Sequence, residues 1–156
     1  MKIYSMLNTL NATTSSKFLK ILETTLRSKS TSELTITSFV KIISRRCLFS
    51  KPKEIFWYLA LLFNMIKNHE NLGTYFESSL EQKDPFDMKE DLLKCKANDS
   101  KSYEMTTVEK HYLKEVVNMS AGMRRDLKEA DHLDLQNFNS ISYDKLIKAA
   151  IDNIGE

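Results

Sequence analysis

Residues 55–66 read IFWYLALLFNMI, and this stretch decides the fold because it is the strongest apolar segment of the chain. Asn64 is its only polar residue. A helix over these residues spans about 18 Å, against roughly 30 Å of bilayer hydrocarbon, so it is too short to cross a membrane. A helix that is apolar all round is typical of the centre of a bundle. With Ser50 as a cap and Pro52 in the first turn, the pattern predicts a central helix at about 53–70.

The segments before this stretch also follow helical spacing of apolar residues. Ile3, Met6, Leu7 and Leu10 predict one helical face near the amino terminus. In residues 33–49, a short strand-like alternation competes with a longer helical pattern, and the longer pattern is favoured. The apolar residues of that longer pattern are Ile36, Phe39, Val40, Ile43 and Cys47.

The second half of the chain is predicted to alternate helices with polar loops. Thr106 and Glu109 form a capping box ahead of one long amphipathic helix of about six turns. The apolar stripe of this helix consists of Val108, Tyr112, Val116, Met119, Met123 and Leu127. Asp87 and Glu90 predict a further capped helix over 88–97. A loop is expected at 131–139, and a last helix should begin after Ser142.

Breaker residues are scarce: only 3 Gly and 2 Pro occur among 156 residues. This scarcity favours long helices over a turn-rich β fold. We therefore predict an all-α fold, an irregular or orthogonal bundle of six to seven helices around the central helix. The length is that of a single domain, 1–156, in which we expect a mobile polar loop near 98–105.

Several classes of site lack their sequence signature. Glycine-cradled phosphate loops need glycines at fixed spacing, and the 3 glycines are far apart. Cys47 and Cys95 form no CxxC pair, so a structural zinc site is not expected. His69, His111 and His132 lie in no local arrangement typical of a metal site or a catalytic triad. We predict no catalytic residues, no metal, no cofactor and no enzymatic activity.

Charge is distributed unevenly between the two halves. Residues 1–72 hold 11 Lys/Arg and 4 Asp/Glu, and residues 73–156 hold 12 and 17, so the halves carry +7 and −5 and sum to +2. This split is consistent with two halves that face each other, or with a basic surface that contacts nucleic acid. The residues of the candidate nucleic-acid surface are Lys41, Arg45, Arg46, Lys51 and Lys53.

Aromatic residues and methionines suggest a protein partner instead. Trp57, Tyr58, Met119 and Met123 belong to residue types that are enriched at interfaces, although the same residues would also serve as core. The first twelve residues lack the continuous apolar core of a signal peptide, which predicts an intracellular protein, cytoplasmic or nuclear. We predict a non-catalytic helical protein–protein interaction module, a subunit or adaptor of a larger complex. The alternative is a nucleic-acid-associated helical domain.

Overall fold

The computed structural model of the chain describes residues 16–76, 84–124, 127, 130–139 and 141–154. Its α-helices are α1 (Ser16–Arg27), α2 (Glu33–Phe49), α3 (Pro52–Asn68), α4 (Glu104–Val108), α5 (Lys114–Gly122), α6 (Leu135–Asn139) and α7 (Tyr143–Ile154). Two 3-10 helices, Glu70–Tyr75 and Ala97–Asp99, lie between α3 and α4. Every regular element in these ranges is helical, which confirms the predicted all-α bundle. The helix predicted within residues 1–10 lies outside the described residues.

Helix α3 is the predicted central helix. It is buried from Ile55 to Ile66 apart from the partly exposed Phe63. Pro52 opens the helix, where its missing N–H costs nothing, but Lys51 rather than Ser50 occupies the N-cap position. Across the described ranges, no helix combines the length and apolarity that a membrane crossing would need.

Asn64, the one polar residue in the apolar stretch of α3, has hydrogen-bond partners for its side chain. The Asn64 side chain donates to the carbonyl oxygen of Leu133 and accepts from its N–H, both at 2.8 Å. A buried amide without hydrogen-bond partners is energetically costly. These two hydrogen bonds therefore fix where the segment before α6 crosses α3. Asn64 therefore positions a distant segment without interrupting the core.

Helix α2 is as central as α3, which the sequence did not indicate. It packs against α3 and is buried on every side from Ile36 to Ser44, although this span includes four polar residues. All four of these polar side chains meet polar partners from the segment 95–102. Thr37 hydrogen-bonds Asn98, Ser38 lies 3.3 Å from the Cys95 sulfur, and Ser44 accepts from Ser102 at 3.0 Å. The polar face of α2 is thus an internal contact.

The segment 98–105 packs against this face of α2. Ser100 and Ser102 are buried, and the Tyr75 hydroxyl donates to the Ala97 carbonyl oxygen just before the segment, at 3.2 Å. The last residues of the segment already belong to α4. Its mobility stays a prediction, and the contacts show which interactions a movement of the segment would have to break.

The prediction of a single long helix after Thr106 is wrong, because residues 109–113 separate α4 from α5. The His111 ring nitrogen Nδ1 accepts the N–H of Leu113 at 3.1 Å. Leu113 itself has an extended backbone and serves as the N-cap of α5. A side chain that binds a nearby backbone N–H competes with helix formation, and apolar periodicity alone does not reveal that competition.

Two smaller expectations also need correction. Residues 88–96 form successive turns rather than a helix, because the Asp87 carboxylate accepts from the Lys89 N–H at 2.9 Å and starts a turn. The Asp87 N–H donates to the Cys95 carbonyl oxygen at 3.0 Å, which closes these turns into a compact unit. The loop expected at 131–139 contains the short helix α6.

Candidate partner-binding surface

The candidate basic surface is divided by the fold, and its first member is fully buried. The Lys41 ammonium is 0% exposed and lies 2.8 Å from Asp84 Oδ2 and 3.0 Å from Glu104 Oε2. It also donates to the Lys101 carbonyl oxygen at 2.6 Å. A buried ammonium needs such compensation, since an isolated charge in the interior is strongly unfavourable. Lys41 therefore holds two carboxylates and one carbonyl against α2.

Arg45 completes the same arrangement one turn along α2. Its Nε donates to Glu104 Oε1 at 3.0 Å and its terminal nitrogen to Asp84 Oδ2 at 2.7 Å. The guanidinium also lies over the Phe86 ring, 4.6 Å from the ring centre. We call Lys41, Arg45, Asp84 and Glu104 the buried charge cluster, although only Lys41 and Glu104 are fully buried and the Arg45 and Asp84 side chains are 28% and 23% exposed. It contains two cations and two anions, so its formal charges cancel.

Titration in the cluster follows from these contacts. Burial acts to raise the pKa of Asp84, but the hydrogen bonds it accepts, led by that from Lys41, lower the value to about 2. Burial acts to lower the pKa of Arg45, and hydrogen bonds to Asp84 and Glu104 outweigh burial and raise it. Both groups are therefore charged at neutral pH. Their charges are used to bind segment 84–104 to α2.

The remaining cations of the candidate nucleic-acid surface are placed differently. Lys51 is exposed, and Lys53 and Arg46 are half-buried. Among the described residues, no carboxylate lies within ion-pair distance of Lys51 or Lys53. The structure thus brings Lys41 and Arg45 into an internal network, whereas Lys51 is exposed and Lys53 is partly exposed. A role in nucleic-acid binding stays a prediction for this set.

The residues expected to contact a protein partner lie mainly inside. Trp57 and Tyr58 are 5% and 9% exposed, with ring centres 5.5 Å apart in an edge-to-face arrangement. Burial raises the pKa of the Tyr58 hydroxyl. Met123 is buried, and Met119 is partly buried against the core. Core packing accounts for these positions, and their role in partner binding stays a prediction.

Other large apolar side chains are exposed, and sequence reasoning had not singled them out as sites. Phe49, at the end of α2, is 87% exposed, and the preceding Leu48 is at 36%. The others in the described ranges are Ile21, Leu93, Tyr112, Tyr143 and Ile147. Phe49 falls outside the helical spacing that joins Phe39 to Cys47, and that mismatch was the available signal. We call Leu48, Phe49, Lys51 and Lys53 the α2–α3 corner.

The groups that could hold a metal or react as nucleophiles are separated or buried. Over the described ranges, no three His, Cys, Asp or Glu side chains are arranged to hold a metal ion. Cys47 and Cys95 are buried free thiols, and burial raises the pKa of Cys47. His69 and His132 contact the Leu26 carbonyl oxygen and the Asn68 side chain, at 3.1 and 2.8 Å. These contacts join neighbouring elements of the bundle.

Comparison with known proteins gives this arrangement a context. The model of the CBF/Mak21 family matches residues 1–120. An uncharacterized protein of Schizosaccharomyces pombe is 26% identical over 154 residues, which cover 96% of this chain and 32% of that protein. Nucleolar complex protein 4 of Saccharomyces cerevisiae is 24% identical over 172 residues, which cover 96% of this chain and 31% of that protein. The chain therefore spans about a third of the length of these relatives.

The second relative bears on location. Its name describes a nucleolar protein, and the alignment covers 96% of the present chain. This relationship confirms the predicted intracellular location.

Proposed function

We propose that this chain, which belongs to the CBF/Mak21 family, is a non-catalytic, protein-binding subunit of a nucleolar complex. The observation that carries the proposal is the alignment of 96% of the chain with a relative named as a nucleolar complex protein. The chain corresponds to only 31% of that relative. The proposal therefore concerns a binding domain and leaves the activity of the relative as a whole aside.

The placement of titratable groups supports a non-catalytic role. The thiol of Cys47 is buried, and burial raises its pKa. Asp84, whose pKa is lowered, is tied to two cations of α2. Structural ion-pair networks shift pKa values as active sites do, and the contacts of Asp84 with Lys41 and Arg45 also join two segments of the bundle. These groups therefore stabilise the fold.

The exposed apolar side chains support a protein partner. A side chain such as Phe49, at 87% exposure, loses the contribution of burial unless another surface covers it. Aromatic residues are enriched in the centres of protein interfaces, with polar and charged residues around them. The α2–α3 corner has this composition.

Nucleic-acid association is the second candidate, and the exposed Lys51 and the partly exposed Lys53 favour it. Reversing the charges of Arg45 and Arg46 would test it poorly, because Arg45 belongs to the buried charge cluster. Such a variant would lose stability whether or not nucleic acid binds. Reversal at Lys51 and Lys53 avoids this difficulty.

The proposal is tested by affinity capture of the tagged full chain from source cells, with and without nuclease. We expect nucleolar proteins in stoichiometric amount that survive nuclease treatment, and a tagged chain that localises to the nucleolus. Recovery of nucleic acid alone, or proteins lost on nuclease treatment, would support the second candidate. A chain that captures neither and lies outside the nucleolus would contradict both.

A further inference from the structure

We propose that the α2–α3 corner binds an acidic segment of a protein partner that carries an apolar anchor residue. The inference rests on the proposed function as a protein-binding subunit, and it adds the surface and the chemistry of the partner. It starts from Phe49, which is the most exposed large apolar side chain in the described residues. Leu48 precedes it and is also exposed, so two consecutive apolar side chains reach solvent where α2 ends.

The backbone holds these side chains at a fixed corner. Ser50 and Lys51 are both extended, with φ and ψ of −90° and 160° and of −69° and 151°, and Pro52 begins α3 immediately afterwards. Both flanking helices are anchored in the core, and each packs against the other. The exposed Phe49 is therefore presented by the two central helices of the bundle. A site on such a scaffold loses little conformational freedom on binding.

The charge around this apolar pair is mainly positive, with Glu54 in the first turn of α3 as the nearest acidic residue in the sequence. From Leu34 to Lys53 the sequence contains no acidic residue. The two distant carboxylates that reach this region are bound by Lys41 and Arg45. Lys51 and Lys53 form no ion pair within the described part of the chain, so the corner keeps a net positive charge even with Glu54 beside it. Electrostatic complementarity then selects a negatively charged partner.

The helix dipole of α3 disfavours the charges of these lysines. Lys51 is the N-cap of α3 and Lys53 lies in its first turn, where the helix dipole favours negative side chains over positive ones. The Lys51 side chain makes no capping hydrogen bond. An external anion would compensate these two cations, which lie against the dipole and next to the exposed Phe49 in the sequence.

A peptide fits this corner better than nucleic acid. Protein interfaces combine an aromatic centre with a charged rim, and Leu48 and Phe49 beside Lys51 and Lys53 reproduce that order. Phosphate binding depends on clustered cations, and the fold has turned Lys41 and Arg45 away from this surface. Leu48 would also lack an apolar partner on a phosphate backbone.

The test places a photo-crosslinking residue at the corner of the full chain, as Phe49→benzoylphenylalanine, in source cells. The matched control is Tyr112→benzoylphenylalanine, because Tyr112 is an aromatic residue with 74% exposure that lies outside the corner. Crosslinked peptides are identified by mass spectrometry. We expect position 49 to crosslink one protein, within a segment rich in Asp and Glu that contains a large apolar residue. Crosslinks to nucleic acid, or to segments without acidic character, would overturn the inference.

A synthetic peptide spanning the crosslinked residues then serves as the probe in a fluorescence anisotropy titration. We expect Phe49→Ser, and separately Lys51→Glu with Lys53→Glu, to weaken its binding at least tenfold. A peptide with its acidic residues changed to Lys should regain affinity for the charge-reversed chain. Unchanged binding in either variant, or no recovery with the exchanged charges, would contradict the assignment.

The inference and the proposed function can fail separately. If affinity capture recovers nucleolar proteins but position 49 crosslinks none of them, the corner is not the binding surface and the proposed function stands. If capture recovers no protein and position 49 crosslinks none, the proposed function fails and the inference fails with it.

Discussion

Lys41 lies in the middle of α2 and Lys51 just beyond its end, yet the first is fully buried and the second faces solvent. The buried lysine binds two carboxylates that come from segments far along the chain. The exposed lysine has no carboxylate within ion-pair distance among the described residues. Clustered cations in a sequence can thus serve opposite purposes, since a buried charge must be neutralised inside the fold and an exposed charge remains available to a partner.

The same division separates the phenylalanines of α2. Phe39 is 0% exposed and Phe49 is 87% exposed on one helix. We expect Phe39→Ala to lower the free energy of unfolding by about 3–5 kcal/mol, because it removes a large side chain from the core. Phe49→Ala should change it by less than about 0.5 kcal/mol. Denaturant unfolding of both variants measures the contrast, and similar losses in the two would contradict the division of α2.

Two glutamates allow the same comparison between a buried and a more exposed position for charged residues. Glu104 is 7% exposed and pairs with Lys41 and Arg45. Glu104→Ala should cost about 3 kcal/mol, the low end of the range for breaking a buried pair, since both cations keep Asp84.

Glu109→Ala is the control for that variant. Glu109 Oε1 lies 2.8 Å from Arg124 Nε, in a pair whose side chains are 26% and 36% exposed. A pair this close to solvent contributes at most about 1 kcal/mol. If denaturant unfolding shows that Glu104→Ala loses as little stability as Glu109→Ala, the buried charge cluster does not hold the fold together.

Acid should weaken the cluster through Asp84. The pKa of Asp84 is lowered from 3.8 to about 2 in the folded chain, so the unfolded chain binds the proton more readily. The stability that this carboxylate contributes is therefore present above pH 3.8 and is lost as the pH falls towards 2. We expect Asp84→Asn to be less stable than the natural chain at pH 5, with the difference shrinking towards pH 2. A difference that stays constant over this range would contradict the ion pairing of Asp84.

The sequence predicts much of this architecture where apolar spacing is regular. The stretch 55–66 predicts the central helix, and the apolar set from Ile36 to Cys47 predicts α2. Both signals are strong because helical burial repeats along the chain. The paired state of Lys41 and Arg45 was not predictable, since their carboxylates lie 39 to 63 positions away in the sequence. Long-range partners leave no local pattern.

The exposed surface was predicted least well. Trp57 and Tyr58 are residue types common in interfaces, but composition does not distinguish a core position from an exposed one. Phe49 departs from the spacing of its own helix, but Ile42 departs from it in the same way and is 0% exposed, so spacing alone did not identify Phe49 as exposed. The break between α4 and α5 depends on His111 accepting a backbone N–H, a contact that requires the folded geometry.

Charge reversal at the α2–α3 corner should have the opposite sign to the other effects. Lys51→Glu with Lys53→Glu replaces two cations at the N-terminus of α3 with anions, which the helix dipole favours. We expect the free energy of unfolding to rise by about 0.5–1 kcal/mol, with Lys51→Gln and Lys53→Gln giving an intermediate value. Denaturant unfolding at low ionic strength measures this gain, and salt should reduce it. A loss of stability would mean that Lys51 and Lys53 support the fold. The lysines beyond the end of α2 would then stabilise the protein, as Lys41 does in the middle of the helix.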